Sequence, residues 1–128
     1  QMVALDAAMD IWDTVDMEAL RTRSLALSEL FIAGVEAACP ELRIASPRDP
    51  KMRGSQVSFH HPEGYAIVQA LVAQGVIGDF RAPDILRFGF TPLFIDEGDV
   101  TRAVEILAAI MRDGTWDQPQ FKTRAAVT

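Results

Sequence analysis

One arginine, Arg87, lies in the middle of an otherwise apolar stretch, with Leu86 and Phe88 on either side. A guanidinium in such a run needs either solvent or an anionic partner, because a buried and unpaired charge is costly. Its planar fork suits a carboxylate, which it can bind through two charge-assisted hydrogen bonds. Gly89 would face the same side of a strand and leave room beside the arginine. The residues alone leave two interpretations open, a salt bridge, which is the commoner role, and a ligand anchor.

Two other pairs of polar residues could carry chemistry, but each has a simpler structural interpretation. Asp79 and Arg81 lie two residues apart, and we interpret their segment as a turn in which the side chains pair or face water. The adjacent His60 and His61 would point to opposite faces of a strand, so they could not share a metal ion. For His61, capping a helix that begins at Pro62 is as good an interpretation as any functional one. We therefore predict no metal site.

The residue types needed for covalent catalysis are poorly placed in this chain. Schiff-base chemistry requires a desolvated lysine, but Lys51 lies in a polar loop and Lys122 in the tail, where we expect both to be solvated. Cys39, near a predicted helix end, is expected to be a small buried hydrophobe. The sequence has no glycine-rich phosphate loop, and no nucleophile has a base and an orienting acid nearby. By itself the chain has no credible catalytic centre.

The composition is that of an ordinary folded domain. The chain has 128 residues, of which 49% are hydrophobic and 23% charged, and its net charge is -6. A single domain over residues 1–128 is therefore expected. The acidic balance offers no basic stripe for nucleic acid and disfavours acidic membrane surfaces. Without a long apolar run or a secretory signal, we expect no membrane segment and a cytoplasmic location.

The hydrophobic pattern predicts eight elements joined by short connections. Helices are predicted over Met2–Trp12, from an Asp16 cap to about Ala38, from Pro62 to Gly75, and from an Asp96 or Asp99 cap to Asp113-Gly114. Strands are predicted over Leu42–Ala45, Arg53–His60, Val76–Phe80 and Ile85–Phe90, and the tail from Thr115 is predicted to be irregular. This order predicts an α+β fold, a small and mainly antiparallel sheet of about four strands covered by helices on one face.

Two long strings of residues carry a resemblance to a known family. Residues 53–65 read RGSQVSFHHPEGY, and residues 75–94 read GVIGDFRAPDILRFGFTPLF. They resemble bacterial kynureninases, and the likeness covers nearly the whole chain. The resemblance implies the C-terminal small domain of a fold-type I (aspartate-aminotransferase-like) pyridoxal-phosphate enzyme. We therefore expect this chain to be the last third of a longer polypeptide, whose N-terminal large domain lies outside it.

The resemblance also implies an activity and a division of labour. Family members are homodimeric hydrolases that cleave L-kynurenine to anthranilate and L-alanine in tryptophan catabolism, which is linked to NAD biosynthesis. Their large domain supplies the lysine, aspartate and phosphate ligands of pyridoxal phosphate, and none of those motifs occurs here. The family arginine that binds the substrate's α-carboxylate maps onto Arg87 through the LRFGFTP string. We therefore expect Arg87 to bind substrate, and the isolated chain to show neither pyridoxal absorbance nor kynurenine hydrolysis.

Two other functions stay open at this point. The chain could be a stand-alone α+β module that binds a small carboxylate or a partner protein. It could also be the small domain of a cysteine-desulfurase-like pyridoxal-phosphate lyase. The second alternative requires a cysteine in a mobile loop, and a helix end is a poor place for Cys39 to fill that role.

Overall fold

Helices and strands follow one another along the chain in the predicted order. The structure is a computed structural model that describes residues 1–124. Its helices are α1 (Met2–Trp12), α2 (Met17–Ala38), α3 (Gly64–Ala73), α4 (Glu97–Asp113) and the short α5 (Pro119–Lys122). Its strands are β1 (Arg43–Ile44), β2 (Gln56–His60), β3 (Asp79–Arg81) and β4 (Ile85–Gly89), and a 3-10 helix spans Pro50–Met52. The α+β prediction is confirmed.

The strands form one sheet in the order β1-β2-β4-β3, with every neighbouring pair antiparallel. In the central pair, Ser58 lies opposite Arg87 and Phe59 opposite Leu86. The β3–β4 hairpin places Asp79 opposite Arg87. Directly opposite residues point to the same face of a sheet. The register therefore decides which side chains share a surface.

One face of the sheet is covered by helices and forms the core. Its strand residues alternate in burial along β2 and β4, as a half-covered sheet requires. The core combines side chains from the sheet with others from α2, α3 and α4. Its fully buried members include Leu27, Ile32, Val35, Val57, Phe59, Ile67, Leu71, Leu86, Leu107 and Ile110. Val57 and Phe59 alternate with the polar residues Gln56, Ser58 and His60, a pattern that predicts inward positions for the two apolar side chains, and both are fully buried.

Helix boundaries follow local capping chemistry. The Asp16 carboxylate accepts hydrogen bonds from the backbone N–H groups of Glu18 and Ala19, which confirms it as the N-cap of α2. Asp96 and Asp99 form a reciprocal capping box at the start of α4. Gly114 ends that helix in the left-handed conformation, with φ of 63°. None of the helices within residues 1–124 is long and apolar enough to cross a membrane.

The predicted start of α3 at Pro62 is wrong by two residues. His61 and the residues after it form a turn, in which the Nδ1 atom of His61 accepts a hydrogen bond of 3.0 Å from the Glu63 N–H. The Gly64 N–H donates to the His61 carbonyl over 2.9 Å. Helical hydrogen bonding begins only after that turn. His61 therefore stabilises the turn before α3, but its suggested capping role is wrong, because the N-cap of the helix is Glu63 and no side chain caps it.

The predicted strand over Val76–Phe80 is also misplaced. The Val76 N–H donates to the Leu71 carbonyl over 3.0 Å, which continues the end of α3 instead of pairing with a strand. Ile77 is largely exposed. Pairing with β4 starts only at Asp79. The strand is therefore shorter and begins three residues later.

The remaining differences lie at a strand start and in the tail. Arg53 was predicted to open β2, but its buried guanidinium binds Glu29 and donates to the Pro47 carbonyl over 3.0 Å. The strand therefore begins later, at Gln56. The tail, predicted to be irregular, contains α5, whose Phe121 packs against the core. Positions 125–128 of that tail lie outside the described residues.

Candidate functional site

The second face of the sheet carries the candidate site. We call it the open face, and it is formed by the outward residues of all four strands. These are Arg43, Gln56, Ser58, His60, Asp79, Arg81, Ile85, Arg87 and Gly89. All of them are half-buried or exposed. The surface is polar and rich in arginine, in contrast to the core face.

Arg87 lies near the middle of this face, on the central strand β4. Its neighbours across the sheet are Ser58 on one side and Asp79 on the other. The arginine side chain is 28% exposed, and its Nε atom is buried with no hydrogen-bond partner within residues 1–124. A Cβ added to Gly89 would meet no other described atom within 4 Å. The predicted free space beside Arg87 is confirmed.

Asp79 is the acidic partner of Arg87. The Nη2 atom of Arg87 donates to Oδ2 of Asp79, and the Nη2 atom of Arg81 lies 3.5 Å from the same oxygen. The hydrogen bond from Arg87 is the main reason that the pKa of Asp79 lies below its ordinary value, and the charge of Arg81 lowers it further. The predicted Asp79–Arg81 pairing is confirmed, but the predicted turn is wrong because both residues belong to β3.

The Asp79–Arg87 pair was not predicted from the sequence, although a signal for it was present. Both residues lie four positions from Pro83, so a hairpin centred on that proline places them opposite each other. The shifted prediction for β3 hid this symmetry. The salt bridge that the residues alone favoured for Arg87 is therefore present, and the anchor role stays a prediction.

The two histidines take different roles. The His60 Nδ1 atom lies 3.2 Å from both carboxylate oxygens of Asp84, at the edge of the open face. His61 lies in the turn before α3, where its ring meets the edge of Trp116 with centroids 6.1 Å apart. The prediction that the side chains of His60 and His61 point in different directions is confirmed. Within the described part of the chain, no group of three potential metal ligands comes together.

The cysteine and the two lysines, all within residues 1–124, do not fit a role as covalent nucleophile or as a Schiff-base lysine. Burial raises the pKa of the Cys39 thiol to about 11, so it is protonated at neutral pH. Lys51 is exposed. Lys122 forms an ion pair with Asp117, which raises the pKa of the lysine, opposite to the shift that a nucleophilic amine needs. Neither lysine of the described residues therefore fits a Schiff base with the cofactor.

A mostly apolar groove lies at the end of β4, and Arg87 is not part of it. It has a volume of about 680 Å³. Its lining includes Phe88, Phe90, Phe94, Val76 and Ile106, together with Gly89, but not Arg87. Gly89 is thus shared by the rim of the groove and the open face. The lining is mostly apolar, although Asp99 and Arg102 also belong to it, and the groove does not include the Asp79–Arg81–Arg87 cluster of the open face.

A family comparison settles which proteins this arrangement belongs with. Residues 20–107 match the family model described as the kynureninase C-terminal domain, and the match includes Asp79, Arg81 and Arg87. This chain belongs to the kynureninase C-terminal domain family. The resemblance inferred from the two sequence strings is thereby confirmed.

Individual kynureninases show the same likeness over almost the entire chain. The kynureninase of Burkholderia mallei (strain SAVP1) is 50% identical over 129 residues, and the similarity covers 99% of this chain. The kynureninases of Burkholderia pseudomallei (strain K96243) and Pseudomonas fluorescens are 50% and 49% identical over the same share. The chain spans 31% of the length of these relatives. It therefore corresponds to the kynureninase C-terminal domain and not to a whole kynureninase.

Proposed function

We propose that this chain is the small domain of a pyridoxal-phosphate-dependent kynureninase, a homodimeric hydrolase that cleaves L-kynurenine to anthranilate and L-alanine. Within it, Arg87 binds the α-carboxylate of the substrate. The family match supports the first statement. The observation that carries the second is the position of Arg87, whose partly exposed guanidinium lies on the open face beside the free space at Gly89.

The charge of the open face suits a ligand with a single carboxylate. Arg87 and Arg81 both approach one carboxylate, that of Asp79, so this cluster of three side chains keeps a net positive charge. A substrate carboxylate would neutralise it. Charge-assisted hydrogen bonds to an arginine contribute about 1.5–3 kcal/mol each. Holding the carboxylate in this way would fix the orientation of the bonds at the adjacent Cα atom.

The cofactor and the proton-transferring groups would come from the N-terminal large domain of the same polypeptide. Pyridoxal phosphate supplies an electron sink when it is bound, and the lysines described above do not fit its attachment. One feature that supports a packing partner is α1, which has no buried residue within the described structure. Its large apolar residues, all exposed, are Met2, Val3, Leu5, Met9, Ile11 and Trp12. Reading the coding sequence upstream of Gln1 tests this proposal, since an in-frame lysine-bearing domain supports it and a nearby start codon supports a stand-alone module.

The proposed anchor is tested by replacing Arg87 in the full-length protein. Arg87→Ala is expected to raise KM for L-kynurenine on the order of 100-fold, since it removes hydrogen bonds worth a few kcal/mol. Arg87→Lys keeps the charge but loses the fork and is expected to recover only part of the affinity. The absorbance of bound pyridoxal phosphate should be the same in all three proteins. An unchanged KM in Arg87→Ala would contradict the proposal.

A further inference from the structure

The hydrogen bond between Asp79 and Arg87 joins two residues that lie directly opposite each other in the β3–β4 hairpin. Only Nη2 of the arginine donates to an acceptor within residues 1–124. The Nε atom is buried and has no hydrogen-bond partner among the described residues. The guanidinium of Arg87 is therefore held through Nη2 by Asp79, while Nη1 and the second hydrogen of Nη2 are available to another acceptor.

An arginine on a sheet surface binds a ligand more tightly when a neighbouring residue already fixes the orientation of its guanidinium. The side chain has many rotamers, and binding must offset the loss of that freedom. A cross-strand partner that already fixes the guanidinium removes much of this loss before the ligand arrives. Asp79 meets this requirement because its own backbone is fixed in β3.

Asp79 also sets the charge of the site. Without its carboxylate, Arg87 and Arg81 would repel each other across the hairpin, since both approach the same Oδ2 atom. With the carboxylate present, the cluster retains one net positive charge, which matches one carboxylate. Exposure of half of the Asp79 side chain keeps the pair reachable by water.

We propose that Asp79 is a positioning residue, which holds the guanidinium of Arg87 in the orientation that receives the substrate's carboxylate. This inference rests on the proposed function of Arg87. Asp79 does not touch the substrate and acts only through the arginine. A competing role, in which Asp79 occupies Arg87 until the substrate displaces it, makes the opposite prediction for affinity.

The test compares variants of the full-length protein in steady-state kinetics with L-kynurenine. Asp79→Asn removes the charge at nearly constant shape and is expected to raise KM about tenfold, with kcat changed less than about twofold. Asp79→Glu restores the carboxylate and is expected to recover most of the affinity. Glu97→Gln is the matched control, because it removes the charge from another exposed arginine–carboxylate pair, that of Arg23 in α2 with Glu97 in α4, which is not part of the open face. Its KM should equal that of the unmodified protein.

The possible outcomes separate this inference from the proposed function. If Arg87→Ala raises KM but Asp79→Asn leaves KM unchanged or lowers it, the positioning role is overturned while the anchor stands. A fall in kcat alone would also overturn it. If Arg87→Ala leaves KM unchanged, the anchor and the positioning role are both wrong. Melting temperatures within about 3 °C of the unmodified protein would show that the variants are folded. If Asp79→Asn is not folded, Asp79→Ser is measured in its place, with the same expected rise in KM.

Discussion

Leu86 and Arg87 are neighbours in β4, yet they belong to surfaces with opposite properties. Leu86 is fully buried beneath the helices, whereas Arg87 lies on the open face and is paired with Asp79. The alternation of a β-strand places consecutive side chains on opposite faces, so one strand builds both surfaces. The core face is therefore expected to set the stability of this domain, and the open face its binding properties.

Replacing these two neighbours by alanine gives the largest expected contrast. Leu86→Ala should lower the free energy of unfolding by about 2–5 kcal/mol, because it leaves a cavity in the core. Arg87→Ala should change it by less than about 1 kcal/mol, since the lost ion pair is partly exposed. Urea unfolding of the two variants measures both values. Equal losses of stability would show that the two faces are not energetically distinct.

Two glycines extend the comparison to the space around each surface. A Cβ on Gly34 in α2 would lie 2.9 Å from Cγ1 of Val104 in α4. We therefore expect Gly34→Ala to destabilise the protein by about 1–2 kcal/mol through crowding. Gly89→Ala meets free space on the open face and should stabilise the protein by about 0.5 kcal/mol. Thermal unfolding measures both changes in stability. If Gly89→Ala also destabilised the protein, the open face would be tightly packed around Gly89.

The smallest expected effect concerns pH and His61. Burial lowers the pKa of this imidazole from its ordinary value of 6.5, so the folded state binds the proton less well than the unfolded state. Its stabilisation is therefore complete above pH 6.5 and lost as pH falls through the folded-state value. Protonation also removes the Nδ1 acceptor for the Glu63 N–H. We expect a loss of less than about 1 kcal/mol between neutral and mildly acidic pH.

The matched variant for this effect is His61→Asn, which keeps a side-chain acceptor but has no group that titrates in this range. Its free energy of unfolding should vary less with pH than that of the unmodified protein. The measurement is a series of urea titrations across the pH range. An identical pH dependence in both proteins would assign the effect to another group.

Sequence patterns predicted the fold well because its elements depend on local signals. Alternation marked Val57 and Phe59 as inward residues, and Asp16 and Asp96 marked helix starts by capping chemistry. The candidate site was harder to predict, since Arg87 acquires its partner only through strand register. Register depends on where a hairpin turns, and a prediction of β3 three residues too early concealed Asp79.

The position of α3 shows the same limit on a smaller scale. Proline at a first helical position is a common signal, but the His61 side chain forms a turn with the Glu63 N–H and delays the helix. Buried Arg53 likewise turns inward to bind Glu29 and loop carbonyls. The Arg53 contact joins residues that are distant in sequence, and the His61 contact joins a side chain to the backbone. The periodicity of apolar residues does not encode either kind of contact.

The most direct test of the anchor compares a charged and a neutral substrate in the full-length protein. L-kynurenine and its carboxamide differ only at the group that Arg87 is proposed to bind. The ratio of their kcat/KM values should be on the order of 100 in the unmodified protein, because the amide loses charge-assisted hydrogen bonds. In Arg87→Ala the ratio should fall towards one. Undiminished discrimination in that variant would show that another residue binds the carboxylate and would contradict the account.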